Sequence, residues 1–116
     1  MRRSYTAVVA RNEPLTGDWA TEPYEAGWAS EALFFVRLLV DGAPPAGAPP
    51  SLDLHARAQL SPDGMLWLDE GTTLPPLEGG AAFLRLRAFG NWLRLAGSRP
   101  AGAAPVNVSV YLVLKE

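Results

Sequence analysis

Residues 51–71 read SLDLHARAQLSPDGMLWLDEG, and this stretch decides the fold class. Apolar and polar residues alternate over residues 52–60, and a period of two places the apolar set on one face of a β-strand. In the Ser-Pro-Asp-Gly segment that follows, proline fixes φ, aspartate can bind backbone amides, and glycine tolerates a positive φ. The sequence therefore predicts a β-hairpin that turns at Ser61 to Gly64 and returns as a second strand over residues 65–69.

Short apolar runs separated by Pro and Gly continue along the rest of the chain, a pattern typical of all-β proteins. Further strands are predicted over residues 4–10, 32–40, 82–89 and 106–115. Residues 32–40, ALFFVRLLV, are apolar on nearly both faces, which is typical of a central strand or of one that a partner covers. We predict an antiparallel β-sandwich, jelly-roll-like or a flattened barrel, with six to eight strands.

The chain of 116 residues has the length of one domain, and its composition divides it into two parts. Residues 1–30 are predicted to form an N-terminal strand and an extended, arm-like segment, irregular over residues 11–30. Residues 31–116 are predicted to form the β-sandwich. We expect the sandwich to fold without residues 1–28.

The inward-facing apolar set is even-numbered before Gly90-Asn91 and odd-numbered after it. A two-residue turn at this point would explain the change, but it would place Arg87 opposite Arg94, which is unfavourable. A β-bulge within one long strand explains the change without that clash, and we prefer the bulge.

Composition and charge exclude several classes of protein. The net charge of −2 argues against a broad attraction for nucleic acid or an anionic membrane, so we expect neither as a partner. No cysteine is present, which rules out disulfides and thiolate metal sites. No apolar run is long enough for a signal peptide or a membrane helix, so we expect an unexported protein. Arg outnumbers Lys nine to one, a bias typical of a GC-rich and thermophilic source.

No motif predicts catalysis, and we expect neither an enzyme nor a cofactor or metal site. The lone histidine, His55, alternates with Asp53 and Arg57 on a polar strand face. We interpret it as a solvated surface residue, with a binding role as the alternative. The acidic residues lack the spacing of a calcium loop, and the chain has no phosphate-binding glycine loop and no serine elbow.

The four tryptophans are the best functional indication. Exposed, coplanar tryptophans would form a sugar platform, whereas tryptophans in an irregular segment would anchor it to a sheet or to another subunit. The outward side of residues 32–40 also needs a cover, because a small sandwich hides only one face of each strand. The candidate interface residues are Trp19, Tyr24, Trp28, Leu33, Phe35 and Arg37.

Three segments in this order resemble small phage virion proteins encoded among head and tail genes. The segments are GWASEALFFVRLLV, PSLDLHARAQLSPDGMLWLDEG, and FLRLRAFGNWLRLAG followed by a loop and VNVSVYLVLKE. The resemblance covers residues 27–116 and brings no catalytic residues with it.

The resemblance implies a non-enzymatic virion structural protein, foremost a capsid decoration (cement) protein that stabilises the shell by contacts bridging its subunits. The alternatives are a tail or neck component, a carbohydrate- or receptor-binding β-sandwich module, and a structural domain of a cellular assembly. The implied partners are the major capsid protein, other virion proteins and further copies of this chain, in a homo-oligomer that could be a trimer. Such a protein is made in the host cytoplasm and resides in the virion.

Overall fold

The computed structural model describes residues 3–47, 49–87, 89 and 91–116, and all the regular structure in these ranges is β. The strands are β1 (Ser4–Leu15), β2 (Asp18–Ala20), β3 (Tyr24–Glu25), β4 (Glu31–Leu39), β5 (Arg57–Ser61), β6 (Leu68–Thr73), β7 (Ala81–Arg87), β8 (Trp92–Ser98) and β9 (Val106–Lys115). The all-β prediction is confirmed, with nine strands where the sequence predicted six to eight. The described residues contain no helix that could cross a membrane.

The strands form two antiparallel sheets. The four-stranded sheet has the order β1-β9-β4-β7, and the five-stranded sheet has the order β2-β8-β5-β6 with β3 also paired to β8. Because β2 and β3 pair with successive parts of β8, they occupy one strand position between them. Counted in this way, each sheet has four strand positions, and the chain crosses repeatedly from one sheet to the other. This is the arrangement of a jelly roll, which agrees with the jelly-roll-like prediction.

The core lies between the two sheets and is built from the inward-facing residue of each strand pair. In the four-stranded sheet, Phe34 on β4 lies between Leu84 on β7 and Leu112 on β9. From the opposite sheet, Leu93 and Leu95 of β8 are also fully buried. The period-two pattern of these strands follows from this layout, since every second side chain enters the core.

The prediction of an irregular segment over residues 11–30 is wrong for much of its length. Strand β1 continues to Leu15 and pairs with β9 throughout, with register shifts on either side of Ala10. Val9, Ala10 and Leu15 belong to the core. Beyond Leu15 the chain crosses to the other sheet, where β2 and β3 form its edge. The described part of residues 1–30 therefore lies within both sheets and does not extend from them as an arm.

The antiparallel pairing of the predicted hairpin is confirmed by β5 and β6, but the connection spans residues 62–67 and is longer than the predicted Ser-Pro-Asp-Gly turn. Gly64 has φ = 80°, as the turn chemistry requires. The strand bounds differ from the prediction: β5 begins at Arg57 because His55 has φ = 50°, and β6 begins at Leu68. The core residues 54, 56 and 58 keep the predicted alternation even though the first two precede the strand.

The parity change near Gly90-Asn91 has a cause that neither predicted alternative contains. Strand β7 belongs to the four-stranded sheet and β8 to the five-stranded sheet. Because the two strands lie in different sheets, the alternation of β7 does not have to continue into β8, and the connection between them sets the new parity. Arg87 and Arg94 consequently lie in different sheets and do not face each other. The conformation of Gly90, on which the choice between turn and bulge depended, lies outside the described residues.

Candidate interaction surfaces

A row of apolar side chains crosses the solvent-facing side of the four-stranded sheet. Phe35 on β4 pairs with Phe83 on β7 and with Tyr111 on β9, and Tyr111 pairs with Val8 on β1. The row thus spans all four strands at one level. We call the surface formed by Val8, Phe35, Phe83 and Tyr111 the outer face.

The two phenylalanines of the outer face are exposed to solvent. Phe35 is 39% exposed and Phe83 is 47% exposed, and their rings stack with centroids 5.6 Å apart at an angle of 27°. Beside them lies a shallow depression of about 470 Å³, bordered also by Val113 and Thr6. Contiguous exposed apolar surface of this kind marks an interaction site more often than a single exposed residue does.

Basic side chains border the outer face on both sides of the row, with Arg37 two residues beyond Phe35 on β4 and Arg85 two residues beyond Phe83 on β7. Arg37 and Arg85 are exposed, and neither forms an ion pair with another described residue. The guanidinium carbon of Arg85 lies 6.0 Å from the centroid of the Phe83 ring. Arg87 is paired with Glu31 at 3.3 Å, so that acid is already occupied. The surface therefore combines an apolar centre with two unpaired positive charges.

A second group of aromatic residues lies where β1 begins. Tyr5 stacks on Tyr24 with ring centroids 6.2 Å apart, and the guanidinium carbon of Arg3 lies 4.9 Å from the centre of the Trp28 ring. Burial, and then the neighbouring Tyr5, raise the pKa of Tyr24 above its ordinary value. We call Arg3, Tyr5, Tyr24 and Trp28 the aromatic end.

The loop between β5 and β6, together with the first residue of β6, exposes a third apolar group. Met65 is 82% exposed, Leu66 is 56% exposed and Leu68 is 51% exposed. The Asp63 carboxylate accepts hydrogen bonds from the backbone N–H groups of Met65 and Leu66, which fixes the start of the loop. These bonds hold the pKa of Asp63 below its usual range. We call residues 65–68 the tip.

The outward side of the five-stranded sheet is polar, and its polar side chains form hydrogen bonds with one another. Arg94 donates to Gln59, and both Gln59 and Arg57 donate to the Asp69 carboxylate. The hydrogen bond from Gln59 is the largest cause that lowers the pKa of Asp69, and the bond from Arg57 lowers it further. Arg94 also covers Trp67, with the guanidinium carbon 4.3 Å from the ring centroid. No cluster of acidic residues and histidine that could hold a metal ion occurs in the described ranges.

The structure separates the predicted interface residues into different environments. Phe35 and Arg37 lie together at the outer face, whereas Leu33 points the same way but is only 7% exposed. Tyr24 and Trp28 lie at the aromatic end. Trp19 is half-buried and packs so closely on Gly97 that a Cβ there would lie 2.5 Å from the indole.

The sequence prediction missed the outer-face residues outside β4. Phe83 has the same parity as the outward-facing Arg85, and Tyr111 has the opposite parity to the buried Leu112, so the alternation already placed both outside. Val8 could not be found in this way, because the register shifts of β1 interrupt its alternation.

The tryptophans do not form the exposed row that a sugar platform would need. Trp28 is 36% exposed, and the other three, all within the described ranges, are half-buried.

No family model and no curated protein sequence matches this chain. Among solved structures, the SPBc2 prophage-derived protein YomS superposes with a TM-score of 0.60 at 6% identity, over 100% of this chain and 96% of YomS. The protein FLHE aligns over 99% of this chain and 95% of its own at 14% identity, but a TM-score of 0.37 is too low to support an argument. At 6% identity the likeness to YomS shows the fold alone: the chain has a β-sandwich fold similar to that of a prophage-derived protein.

Proposed function

We propose that this protein is a non-enzymatic structural component of a phage virion, specifically a capsid decoration protein that stabilises the shell by contacts bridging its subunits. The observation that carries the proposal is the exposed apolar row of the outer face, from Val8 to Phe83. Two further observations support it: the sequence resemblance to small virion proteins, and the sandwich fold similar to that of the prophage-derived YomS.

The physical basis of this function is apolar burial repeated over many copies. In an isolated sandwich, Phe35 and Phe83 are exposed to water. When a neighbour covers them, each Å² of apolar surface removed from water contributes about 25 cal/mol of favourable free energy. A specific contact buries about 800 Å² on each partner. Because each copy would contact more than one neighbour in the shell, the second contact forms between molecules already held together, and modest contacts then give a firm attachment.

The aromatic end supplies a second contact surface in this proposal. Tyr, Trp and Arg are enriched in the cores of protein interfaces, since each offers a large contact area together with a polar group. Trp28 under Arg3 and the Tyr5–Tyr24 stack have this composition. We propose that the aromatic end contacts the major capsid protein, while the outer face meets a neighbouring molecule in the same layer.

Purified particles of the encoding phage test this function. We expect mass spectrometry of density-purified heads, tails and whole particles to find the protein in the head fraction, in a fixed ratio to the coat protein. Particles made without the gene should lose DNA at a lower temperature than wild-type particles. Added wild-type protein should restore the heat resistance, and a Phe35→Ser/Phe83→Ser variant should restore it poorly.

The matched control is Arg11→Ser, because Arg11 is exposed on β1 and lies outside the row. It should restore heat resistance fully. Recovery in the tail fraction alone would favour the tail or neck alternative over decoration. Absence from every particle fraction, together with quenching of tryptophan fluorescence by soluble glycans, would overturn the virion function and favour a carbohydrate-binding module.

A further inference from the structure

We propose that the outer face binds the tip of a second copy of this chain, so that copies join head to tail. This inference goes beyond the virion function and does not depend on it. It assigns the occupant of the outer face, and it gives a function to the exposed loop between β5 and β6.

The two surfaces match in chemical character and in form. The tip projects the exposed aliphatic side chains of Met65, Leu66 and Leu68 from a loop that Asp63 holds in place. The outer face offers the shallow depression of about 470 Å³ beside Phe35 and Phe83. Flexible aliphatic and thioether side chains pack well against aromatic rings, and methionine sulfur does so with an additional attraction.

The charges of the two surfaces are opposite in sign. Residues 62–70 contain three carboxylates and no basic residue, and two cations lie beside them, Arg57 and the Arg94 that covers Trp67, so carboxylates remain in excess. Asp69 is occupied by Arg57, whereas Asp63 and Glu70 form no ion pair with another described residue. The outer face carries the unpaired Arg37 and Arg85 beside its apolar row. Attraction between these groups would orient the approaching tip.

The same charges disfavour the symmetric alternative, in which two outer faces meet. That arrangement would bring Arg37 and Arg85 of one copy near those of the other. Glu31 of β4, which could offset these charges, is already paired with Arg87. Like charges facing each other in a contact cost free energy, so a tip of opposite charge is the better occupant.

The topology allows each copy to use both surfaces at once. The outer face belongs to the four-stranded sheet, and the tip joins two strands of the five-stranded sheet. A contact between two different surfaces is heterologous, and it produces a closed ring or an open chain according to the rotation between neighbours. The proposal therefore predicts oligomers that grow with protein concentration until a ring closes.

Recombinant protein without any particle tests the proposal by light scattering after size-exclusion chromatography. The wild-type protein should have a mass above the 12.4 kDa of one chain over a wide range of concentration. A face variant, Phe35→Ser/Phe83→Ser, and a tip variant, Met65→Ser/Leu66→Ser, should each be monomeric. All four positions are exposed, so circular dichroism should show a retained fold.

The decisive sample is an equimolar mixture of the two variants. The face variant keeps an intact tip and the tip variant keeps an intact face, so the mixture should form a complex of twice the monomer mass. The Arg11→Ser control should remain oligomeric. If the face variant loses its fold, Arg37→Glu/Arg85→Glu replaces it. The dissociation constant for self-association of this variant should be at least about tenfold higher than that of the wild type.

Three results would overturn the inference. They are a wild-type monomer at every concentration, a tip variant that associates like the wild type, and a mixture that stays monomeric although both variants are folded. None of them would bear on whether the protein is found in virions, because no particle is present in the experiment.

Discussion

Adjacent phenylalanines on β4 should differ sharply in what they contribute to stability. Phe34 is fully buried between Leu84 and Leu112, so Phe34→Ala removes its transfer free energy and leaves a cavity. Such truncations cost about 3–5 kcal/mol. Phe35 is 39% exposed, so only about three fifths of the 1.5–3 kcal/mol for burying a large apolar side chain is lost. Phe35→Ala should therefore cost about 1–2 kcal/mol, including its stack on Phe83.

Urea unfolding monitored by circular dichroism measures both variants, at a protein concentration low enough to limit association. The m-values should match that of the wild type, so that the midpoints report stability alone. If Phe34→Ala leaves too little folded protein to measure, Phe34→Leu replaces it and should still cost more than Phe35→Leu. Equal losses at the two positions, or a larger loss at Phe35, would refute the assignment of the inward and outward faces of β4.

Four further predictions follow from the packing. Gly97→Ala should destabilise by about 1–3 kcal/mol and shift the tryptophan fluorescence, because the new Cβ would lie 2.5 Å from Trp19; unchanged emission and stability would contradict this contact. Gly64→Val should cost about 1 kcal/mol or more at φ = 80°, and Gly64→Asn should cost less, as thermal unfolding will show. Deleting residues 1–28 should abolish cooperative unfolding, since the deletion removes β1 and its core residues; a folded truncated protein would restore the original expectation of a separable arm. The folded-state pKa of Asp63 is depressed, so its contribution to stability is present above pH 3.8 and lost as the pH falls further, and Asp63→Asn should flatten this part of the pH–stability curve.

Alternation was sufficient to predict the strands that have one face in the core. In β7 and β9 the buried leucines recur at every second position, and the structure places Leu84, Leu86, Leu112 and Leu114 inward. The hairpin was also predictable, because Pro62 and Gly64 restrict the local backbone. These features depend on neighbouring residues along the chain, which a sequence displays directly.

The N-terminal strands could not be predicted in the same way. Register shifts near Ala10 break the alternation of β1, and β2 and β3 are too short to show a period. Their stability comes from pairing with β9 and β8, which lie about 70 to 110 residues further along the chain, so nothing local indicates them. The crossing between sheets after β7 could not be predicted either. A turn, a bulge and a crossing to the other sheet can all change which residues face inward, so the parity change alone does not distinguish them.

The candidate site was predictable only in part. Phe35 was identified because β4 is apolar on both sides, but Phe83 and Tyr111 become its neighbours only through the order β9-β4-β7. The sequence predicts a strand over most of the tip, because Met65 and Leu66 continue an apolar pattern. Their exposure follows from the hydrogen bonds that Asp63 accepts, which carry the chain outward before β6 begins.

The most direct test of the proposed decoration function is a cryo-EM map of the phage particle that would carry this protein. If the proposal is right, the map will contain density for this β-sandwich on the outside of the shell at every equivalent position, with Phe35 and Phe83 buried against a neighbouring molecule. A shell that lacks the sandwich, or one that carries it with the outer face open to solvent, would contradict the proposal.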